Sequence, residues 1–194
     1  MSSCLIVGAG SSKKLLENKE IPIFTISANL HYPKANIFVA MDDPMIENLV
    51  NKYKQPVFVT PRHKERRYRD NPKVFSIDPS IYGTGSFSSG HRAIAVATLF
   101  GFSNIYLSGF DFDEKSSDKY IREFTLISQP TSKYIKVDIE NPKKQPYFSE
   151  VITVDTFLDE FSTKQNILNI FQKRSKNEYR EVTRADSLWW RYRA

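Results

Sequence analysis

Residues able to carry chemistry cluster in three short motifs, each next to an apolar run of the sequence. The first motif is GAGSS, in which Gly8, Gly10 and Ser11 follow the run SCLIV. Glycine is needed where a strand turns into a helix and the backbone takes a positive φ or approaches a ligand closely. Free N–H groups at the start of the next helix bind anions. The motif therefore predicts an anion site. A tight turn with ordinary capping is the alternative, because Lys13 replaces the third glycine of the dinucleotide fingerprint.

The second and third motifs lie on either side of a predicted helix and strand. In SSGH, Ser89 and Gly90 precede a helix, where hydroxyl and amide groups can bind a phosphate, a ribose or the edge of a base. In FDFD, Asp111 and Asp113 directly follow the apolar run IYLSG. Carboxylates at such a place accept hydrogen bonds from ribose, hold a divalent cation or act as a general base. The alternative is that Asp111 caps a turn and Asp113 is solvated, but two aspartates beside Ser/Gly loops favour a function.

The histidines add one candidate for acid–base chemistry. His91 begins the helix after the Ser-Gly loop, and the neutral form of histidine is populated near pH 7. It is a candidate general base or a candidate hydrogen-bond donor to a phosphate. The alternative is that His91 only caps the helix or lies on the surface. His63 lies inside RHKERRYRD and is expected to belong to a basic surface.

Apolar runs that alternate with helical segments must position these motifs. Helices are expected after the first glycines, at Pro44–Tyr53 and at HRAIAVATLFGF. The pattern predicts an α/β fold with a doubly wound, mostly parallel, Rossmann-like sheet and a small C-terminal lid and tail. Such sheets bind ligands beyond the carboxyl ends of their strands, where the three motifs fall. The expected strands are the run SCLIVGAG, which ends in glycines, and residues 21–26, 37–41, 56–60, 73–77, 103–109 and 150–154.

A single domain is expected over residues 1–194. Residues 1–120 form its nucleotide-binding core, and residues 121–150, rich in Pro, Lys and Tyr, form a lid-like loop. Residues 151–194 form a last strand, a helix with Asp155 as its N-cap, and a basic aromatic tail. Trp189 and Trp190 of the tail are expected to pack on the core or on a second subunit, so the tail is a candidate homo-oligomer contact.

Composition narrows the class of protein. With 40% hydrophobic and 26% charged residues, the chain of 194 residues is globular. The net charge of +6 favours anionic partners such as nucleotides or nucleic acid. The single cysteine, Cys4, excludes an intrachain disulfide and fits a reducing compartment. Neither a signal peptide nor an apolar span of about 20 residues is found, so we expect a cytoplasmic protein without membrane contact.

Four segments resemble, in the same order, the bacterial family 42 sialyltransferases, which take a sugar from a CMP donor. They are LIVGAGSS, ISAN, VAMDDP and SSGHRAIAVATLFGFSNIYLSGFDF. The same segments resemble a wider group of nucleotide-binding domains that includes pterin pyrophosphokinases. The resemblance covers roughly residues 4–120, and its most specific part is the helix, strand and SGxDF segment. It implies a glycosyltransferase that moves a sugar from a CMP-type donor to an acceptor hydroxyl, and the DFD pattern keeps a UDP-type donor open as well.

Carried over by position, the resemblance also implies which residues contact the donor nucleotide. These are Gly8, Gly10, Ser11, Asn29, Asp42 or Asp43, Ser89, Gly90, Asp111, and Tyr120 near the leaving phosphate. Two departures affect the chemistry: Asp113 replaces a tyrosine of the family, and no histidine follows Asp111 where the family has its catalytic histidine. Asp113, His91 and Asp43 are therefore the candidate catalytic residues. The DFD pattern also makes Asp111 and Asp113 candidate ligands of Mg²⁺ or Mn²⁺.

The sequence leaves two candidate acceptors and three candidate classes of protein open. The acceptors of the family are glycans, but the basic aromatic segments RHKERRYRD and KRSKNEYREVTRADSLWWRYRA suit phosphates and unpaired bases, so a hydroxylated DNA base is a second candidate. An ATP- and Mg²⁺-dependent pyrophosphokinase-like enzyme would hold its metal with Asp42, Asp43, Asp111 and Asp113. A nucleotide-binding module without catalysis is the third class.

Overall fold

The computed structural model describes residues 2–16, 19–77, 88–111, 132–138, 148 and 150–162. Eight strands in this part form one sheet in the order β5-β4-β3-β2-β1-β6-β7-β8, and every neighbouring pair is parallel. The predicted doubly wound α/β fold is confirmed. The strands are β1 Ser3–Val7, β2 Phe24–Ala28, β3 Ile37–Val39, β4 Val57–Val59, β5 Val74–Ser76, β6 Asn104–Ser108, β7 Lys133–Asp138 and β8 Glu150–Thr153.

Helices connect the strands and cover both faces of the sheet. A short 3-10 helix, Ser11–Leu16, follows β1. The α-helices are α1 Asp43–Lys52, α2 Pro61–Arg67, α3 Ser89–Leu99 and α4 Val154–Ser162. Proline in the first turn suits the starts of α1 and α2, because an N–H at that position has no partner within the helix.

The core lies on both sides of the sheet because successive residues of a strand point to opposite faces. In β1, Cys4 and Ile6 pack in the cluster that contains the alanines of α3. Leu5 and Val7 pack on the other face with residues of α1, α4 and the 3-10 helix. None of these four side chains is more than 1% exposed. Burial raises the pKa of the Cys4 thiol, and this cysteine packs as a small buried apolar residue.

The order of the strands reverses its direction at β1. From β1 the chain builds the sheet outward to β5 on one side and then returns to build β6, β7 and β8 on the other. Val7 pairs with Ser27 of β2 and with Ser108 of β6, so the three strands end at the same level. The carboxyl ends of β1 and β6 therefore form the switch point, where sheets of this kind bind ligands.

Four elements differ from those expected from the sequence. β2 is Phe24–Ala28 rather than residues 21–26. Lys133–Asp138, inside the segment expected as a lid-like loop, forms β7 between β6 and β8. The basic segment at 62–70 forms most of the helix α2, and none of the residues of α2 is buried. The N-cap of α4 is Thr153 rather than Asp155, because Thr153 Oγ1 accepts a hydrogen bond from the backbone N–H of Thr156 at 3.1 Å. Asp155 lies exposed in the first turn instead.

The other predictions for residues 121–150 and for the tail, including Trp189 and Trp190, fall outside the described residues. Within the described part of the chain, the helices are all too short or too polar to cross a membrane.

Candidate functional site

The glycines at the switch point allow the ends of β1 and β6 to lie in direct backbone contact. The N–H of Gly8 donates to the carbonyl oxygen of Ser108 at 2.7 Å, and that of Gly10 donates to Gly109 at 2.8 Å. A Cβ atom on Gly8 would lie 2.7 Å from the Gly109 oxygen. Gly109 has a φ of 76°, a conformation that only glycine adopts readily. The GAG glycines therefore allow a close backbone approach to the end of β6, and the predicted approach to a ligand stays a prediction.

Asp111 joins the end of β6 to the first turn of the 3-10 helix. Its Oδ2 atom accepts hydrogen bonds at 3.0 Å from the hydroxyl of Ser11 and at 3.0 Å from the backbone N–H of Ser12. Its Oδ1 atom accepts one from the Ser12 hydroxyl, whose oxygen accepts in turn from the Gly109 N–H at 2.8 Å. A carboxylate of the protein thus lies where the sequence predicted a bound anion. We call this group of contacts the Asp111 clamp.

Phe110 connects the Asp111 clamp to the start of α3. Its ring lies 2.9 Å from the Cβ position of Gly8 and 3.3 Å from that of Gly90. A side chain at either glycine would collide with or crowd the ring. The structure therefore brings together the predicted residues of the first loop, the Ser-Gly motif and Asp111.

His91 makes the contacts of the capping alternative. Ser88 is the N-cap of α3, and its Oγ atom accepts from the backbone N–H of His91 at 3.4 Å and lies 2.5 Å from His91 Nδ1. Ser89 and His91 are 7% and 2% exposed. The roles of His91 in catalysis and of Ser89 in nucleotide binding stay predictions.

Asn29 follows β2 at the same edge of the sheet. Its backbone has a φ of 51°. The Asn29 N–H donates to the backbone carbonyl oxygen of Val39 at 2.7 Å, and the Ser27 hydroxyl donates to the backbone carbonyl oxygen of Asn29 at 3.1 Å. Its side-chain Oδ1 atom is buried without a hydrogen-bond partner among the described residues. Buried acceptors of this kind are rare, and each one needs an explanation. A ligand that supplies a donor is such an explanation.

Asp42 and Asp43 follow β3, which lies two strands from β1 and so roughly 10 Å from it. Asp42 is exposed, and its side chain makes no capping hydrogen bond although it is the N-cap of α1. Asp43 lies 3.3 Å from Arg67 Nη1 and 3.5 Å from His63 Nε2. Its carboxylate therefore forms an ion pair with Arg67 and lies beside the His63 ring, and neither contact involves the Asp111 clamp. Its catalytic role stays a prediction.

The sequence reasoning missed a contact between a lysine and a histidine at the rim of the first loop. Lys13 Nζ lies 3.3 Å from the Ala9 oxygen and 3.4 Å from His31 Nδ1. Burial lowers the pKa of His31, and the charge of Lys13 lowers it further. His31 is therefore a neutral acceptor near pH 7. The signals were weak: Lys13 replaces a glycine of the fingerprint, and His31 comes two residues after Asn29.

The metal and phosphate predictions depend on residues outside the described part. The described residues contain no group of three His, Cys, Asp or Glu side chains that could hold a metal ion. Both carboxylate oxygens of Asp111 accept hydrogen bonds from Ser11 or Ser12. These donors stabilise the negative charge of Asp111 without a metal ion. Asp113 and Tyr120 lie outside the described residues, so a Mg²⁺ or Mn²⁺ site and a tyrosine at the phosphate stay predictions.

No family model matches the sequence, and no curated protein matches it. Similarity is found among solved structures. The sialyltransferase CstII from Campylobacter jejuni, in complex with the substrate analogue cytidine-5'-monophosphate, aligns with a TM-score of 0.50 at 15% sequence identity. The alignment covers 84% of this chain and 99% of the CstII chain. The CstII complex with CMP-3FNeuAc gives the same values. The resemblance to sialyltransferases is thus confirmed at the level of the fold, and this chain has the fold of CstII.

Proposed function

We propose that this protein is a glycosyltransferase that binds a CMP-type nucleotide sugar at the carboxyl ends of β1, β2 and β6. The observation that carries the proposal is the buried, unpartnered Oδ1 atom of Asn29 beside the switch point. The fold supports it, since CstII has the same fold and its structures contain CMP and CMP-3FNeuAc.

Asn29 has the chemistry to recognise a nucleoside. A buried acceptor without a partner costs about 1–3 kcal/mol, which a ligand recovers when it supplies a donor. The amino group of cytosine and the hydroxyls of ribose are such donors. The hydrogen bonds of the Asn29 backbone to β3 and Ser27 fix the turn, so the amide is held in place before the ligand arrives.

The Asp111 clamp favours a donor with one phosphate over one with a pyrophosphate. Pyrophosphate sites in related sheets use the amides at the start of the helix after β1. Here the Ser12 amide donates to Asp111, and the carboxylate adds negative charge at the same place. A CMP-type donor therefore suits this site better than a UDP-type donor.

The reaction follows from the chemistry of such a donor. The oxygen of the acceptor hydroxyl attacks the anomeric carbon, the bond from that carbon to the phosphate oxygen breaks, and CMP leaves with the electron pair. A general base must take the proton of the acceptor hydroxyl. We propose Asp113 or His91 for this role, and we place Asp43 last because it is paired with Arg67 and His63.

Asn29→Gly tests the proposal, because glycine keeps the positive φ of this turn and removes only the amide. We expect the parent protein to bind CMP and to release CMP from a CMP-sugar when an acceptor is present. Asn29→Gly should weaken CMP binding about 5- to 150-fold, the equivalent of roughly 1–3 kcal/mol, without lowering the melting temperature. Asn29→Ala should also lose stability, because alanine resists a φ of 51°.

Isothermal titration calorimetry with CMP, UDP, ATP and GDP, each with and without Mn²⁺ or Mg²⁺, separates the alternatives. Selection of ATP with metal would favour a pyrophosphokinase-like enzyme, and binding of none of them would favour a protein without this activity. Unchanged CMP affinity in folded Asn29→Gly protein would remove the assignment of Asn29.

For the acceptor, a glycan is our first proposal and a modified DNA base is the second. The second is favoured by α2, which starts at the carboxyl end of β4 and exposes Arg62 and Arg66, with Arg69 exposed just after it. Arg67 is paired with Asp43, so a clean test leaves it in place.

The triple change of Arg62, Arg66 and Arg69 to alanine tests the DNA acceptor. If DNA binds here, the slope of log affinity against log salt should fall by about 2–3, since each phosphate contact contributes about 0.9. The matched control is a triple change at the opposite edge of the sheet, and it should leave the slope unchanged. Its positions are the exposed Lys52, Lys54 and Lys133. Equal slopes in all three proteins, or no DNA binding at low salt, would end the DNA proposal.

A further inference from the structure

Three of the five backbone amides in the first loop already donate to acceptors within the protein. The amides of Gly8 and Gly10 donate to the end of β6, and the amide of Ser12 donates to Asp111. The Asp111 carboxylate repels a second anion at the start of the 3-10 helix. A positive charge from another group therefore strengthens the binding of a donor phosphate at this switch point.

Lys13 provides that charge at the rim of the loop. Its ammonium group contacts the carbonyl oxygen of Ala9, the exposed residue between Gly8 and Gly10, at 3.3 Å. It also contacts Nδ1 of His31, on the turn that carries Asn29, at 3.4 Å. The cation thus bridges the ends of β1 and β2, beside the side chain to which we assign the nucleoside. An ammonium group has three N–H donors, and these contacts use two of them.

His31 holds Lys13 in this position as an acceptor. Lysine only donates hydrogen bonds, so Nδ1 must carry the lone pair and the neutral ring must carry its proton on Nε2. Burial is the first cause that keeps the pKa of His31 low, and the charge of Lys13 is the second. The imidazole therefore stays neutral and fixes the ammonium group instead of repelling it.

We infer that Lys13, positioned by His31, binds the phosphate of the donor nucleotide and stabilises the charge of the leaving CMP. This inference rests on the proposed function, and it adds a phosphate-binding residue that takes the place of the helix amides. It also gives His31 a role as a positioning residue, distinct from the general base.

The test compares CMP with cytidine, which lacks the phosphate, by isothermal titration calorimetry. The parent should bind CMP more tightly than cytidine. Lys13→Gln should lower the ratio of the two affinities about tenfold or more, because a charge-assisted hydrogen bond to phosphate is lost, and it should leave cytidine affinity unchanged. Lys14→Gln is the matched control: Lys14 is the exposed neighbour in the same helix, and the ratio should stay at the parental value.

Two changes of His31 test its positioning role. His31→Leu has no acceptor for Lys13 and should lower the CMP-to-cytidine affinity ratio. His31→Asn keeps an oxygen near the place of Nδ1, so its ratio should stay near the parental value. Equal ratios in these two variants would overturn the role of His31.

A parental ratio in Lys13→Gln would overturn the phosphate assignment, while the CMP binding of the parent would leave the proposed function intact. A parent protein that binds neither CMP nor cytidine would overturn the proposed function and this inference together. Melting temperatures of all variants confirm that each ratio is measured on folded protein.

Discussion

Asp111→Ala removes the carboxylate that joins the end of β6 to the first turn of the 3-10 helix. The sequence suggested a residue for nucleotide contact or metal binding at this position. The hydrogen bonds of the Asp111 clamp give it a structural role as well. The change should therefore lower stability as well as any ligand affinity.

The expected loss of stability follows from the partners of the carboxylate. Two of the bonds come from Ser12, which is 5% exposed, and one comes from the exposed Ser11. A hydrogen bond to a charged group contributes about 1.5–3 kcal/mol when its partners are shielded from water. Asp111 is itself partly exposed and the bonds are not additive, so we expect a loss of roughly 2–4 kcal/mol. For a chain of this size, that lowers the melting temperature by about 4–16 °C.

Differential scanning calorimetry measures this loss, and two variants serve as controls. Asp111→Asn keeps an oxygen for the Ser12 N–H and offers an amino group to the Ser12 hydroxyl, so its melting temperature should fall less. Asp42→Ala removes an exposed carboxylate at the same edge of the sheet that makes no capping hydrogen bond, and it should change stability by no more than about 0.5 kcal/mol. A melting temperature of Asp111→Ala within about 2 °C of the parent would refute the clamp, because that shift corresponds to less than about 1 kcal/mol.

Three further predictions concern stability, each measured by chemical denaturation. Because the pKa of His31 is lower in the folded state than its ordinary value of 6.5, the free energy of unfolding should decrease as the pH falls below 6.5, and less so in His31→Asn. Thr153→Ala should cost about 1 kcal/mol as the lost cap of α4, and an equal cost in Asp155→Ala would contradict this assignment. Tyr106→Phe should cost about 1 kcal/mol, because the Tyr106 hydroxyl donates to Glu160 at 2.7 Å; no cost would mean that the exposed Glu160 contributes nothing.

The sequence predicts the sheet well where local pattern and burial agree. In β1, β3 and β6, apolar residues fill both faces, and a Gly or Asp follows soon after each end, which is typical of buried parallel strands. β7 lacks this pattern because Lys133 and Lys136 interrupt its apolar residues and prolines surround it. Its pairing with β6 and β8 is a tertiary contact, which a local pattern does not encode.

The role of Asp111 could not be read from the sequence for a related reason. A carboxylate after a strand suits a ligand, a cap or a metal equally well, and its partners decide among these. Here the partners, Ser11 and Ser12, lie about 100 positions away in the chain and meet it only because β1 pairs with β6. The sequence contained both halves of the clamp but not the pairing that joins them.

The same pairing explains why the phosphate assignment moved from glycine amides to a lysine. In the dinucleotide fingerprint, the third glycine allows the helix to pack closely on the strand, and the amides at the start of the helix stay open for the ligand. With Lys13 at this position, the chain forms a 3-10 helix whose first turn is capped by Asp111. The ammonium group of Lys13 then reaches back to Ala9 and across to His31. Lys13 in place of the third glycine weakens the sequence evidence for a phosphate site. In the proposed site, the same lysine supplies the positive charge, because the Ser12 amide is bound to Asp111.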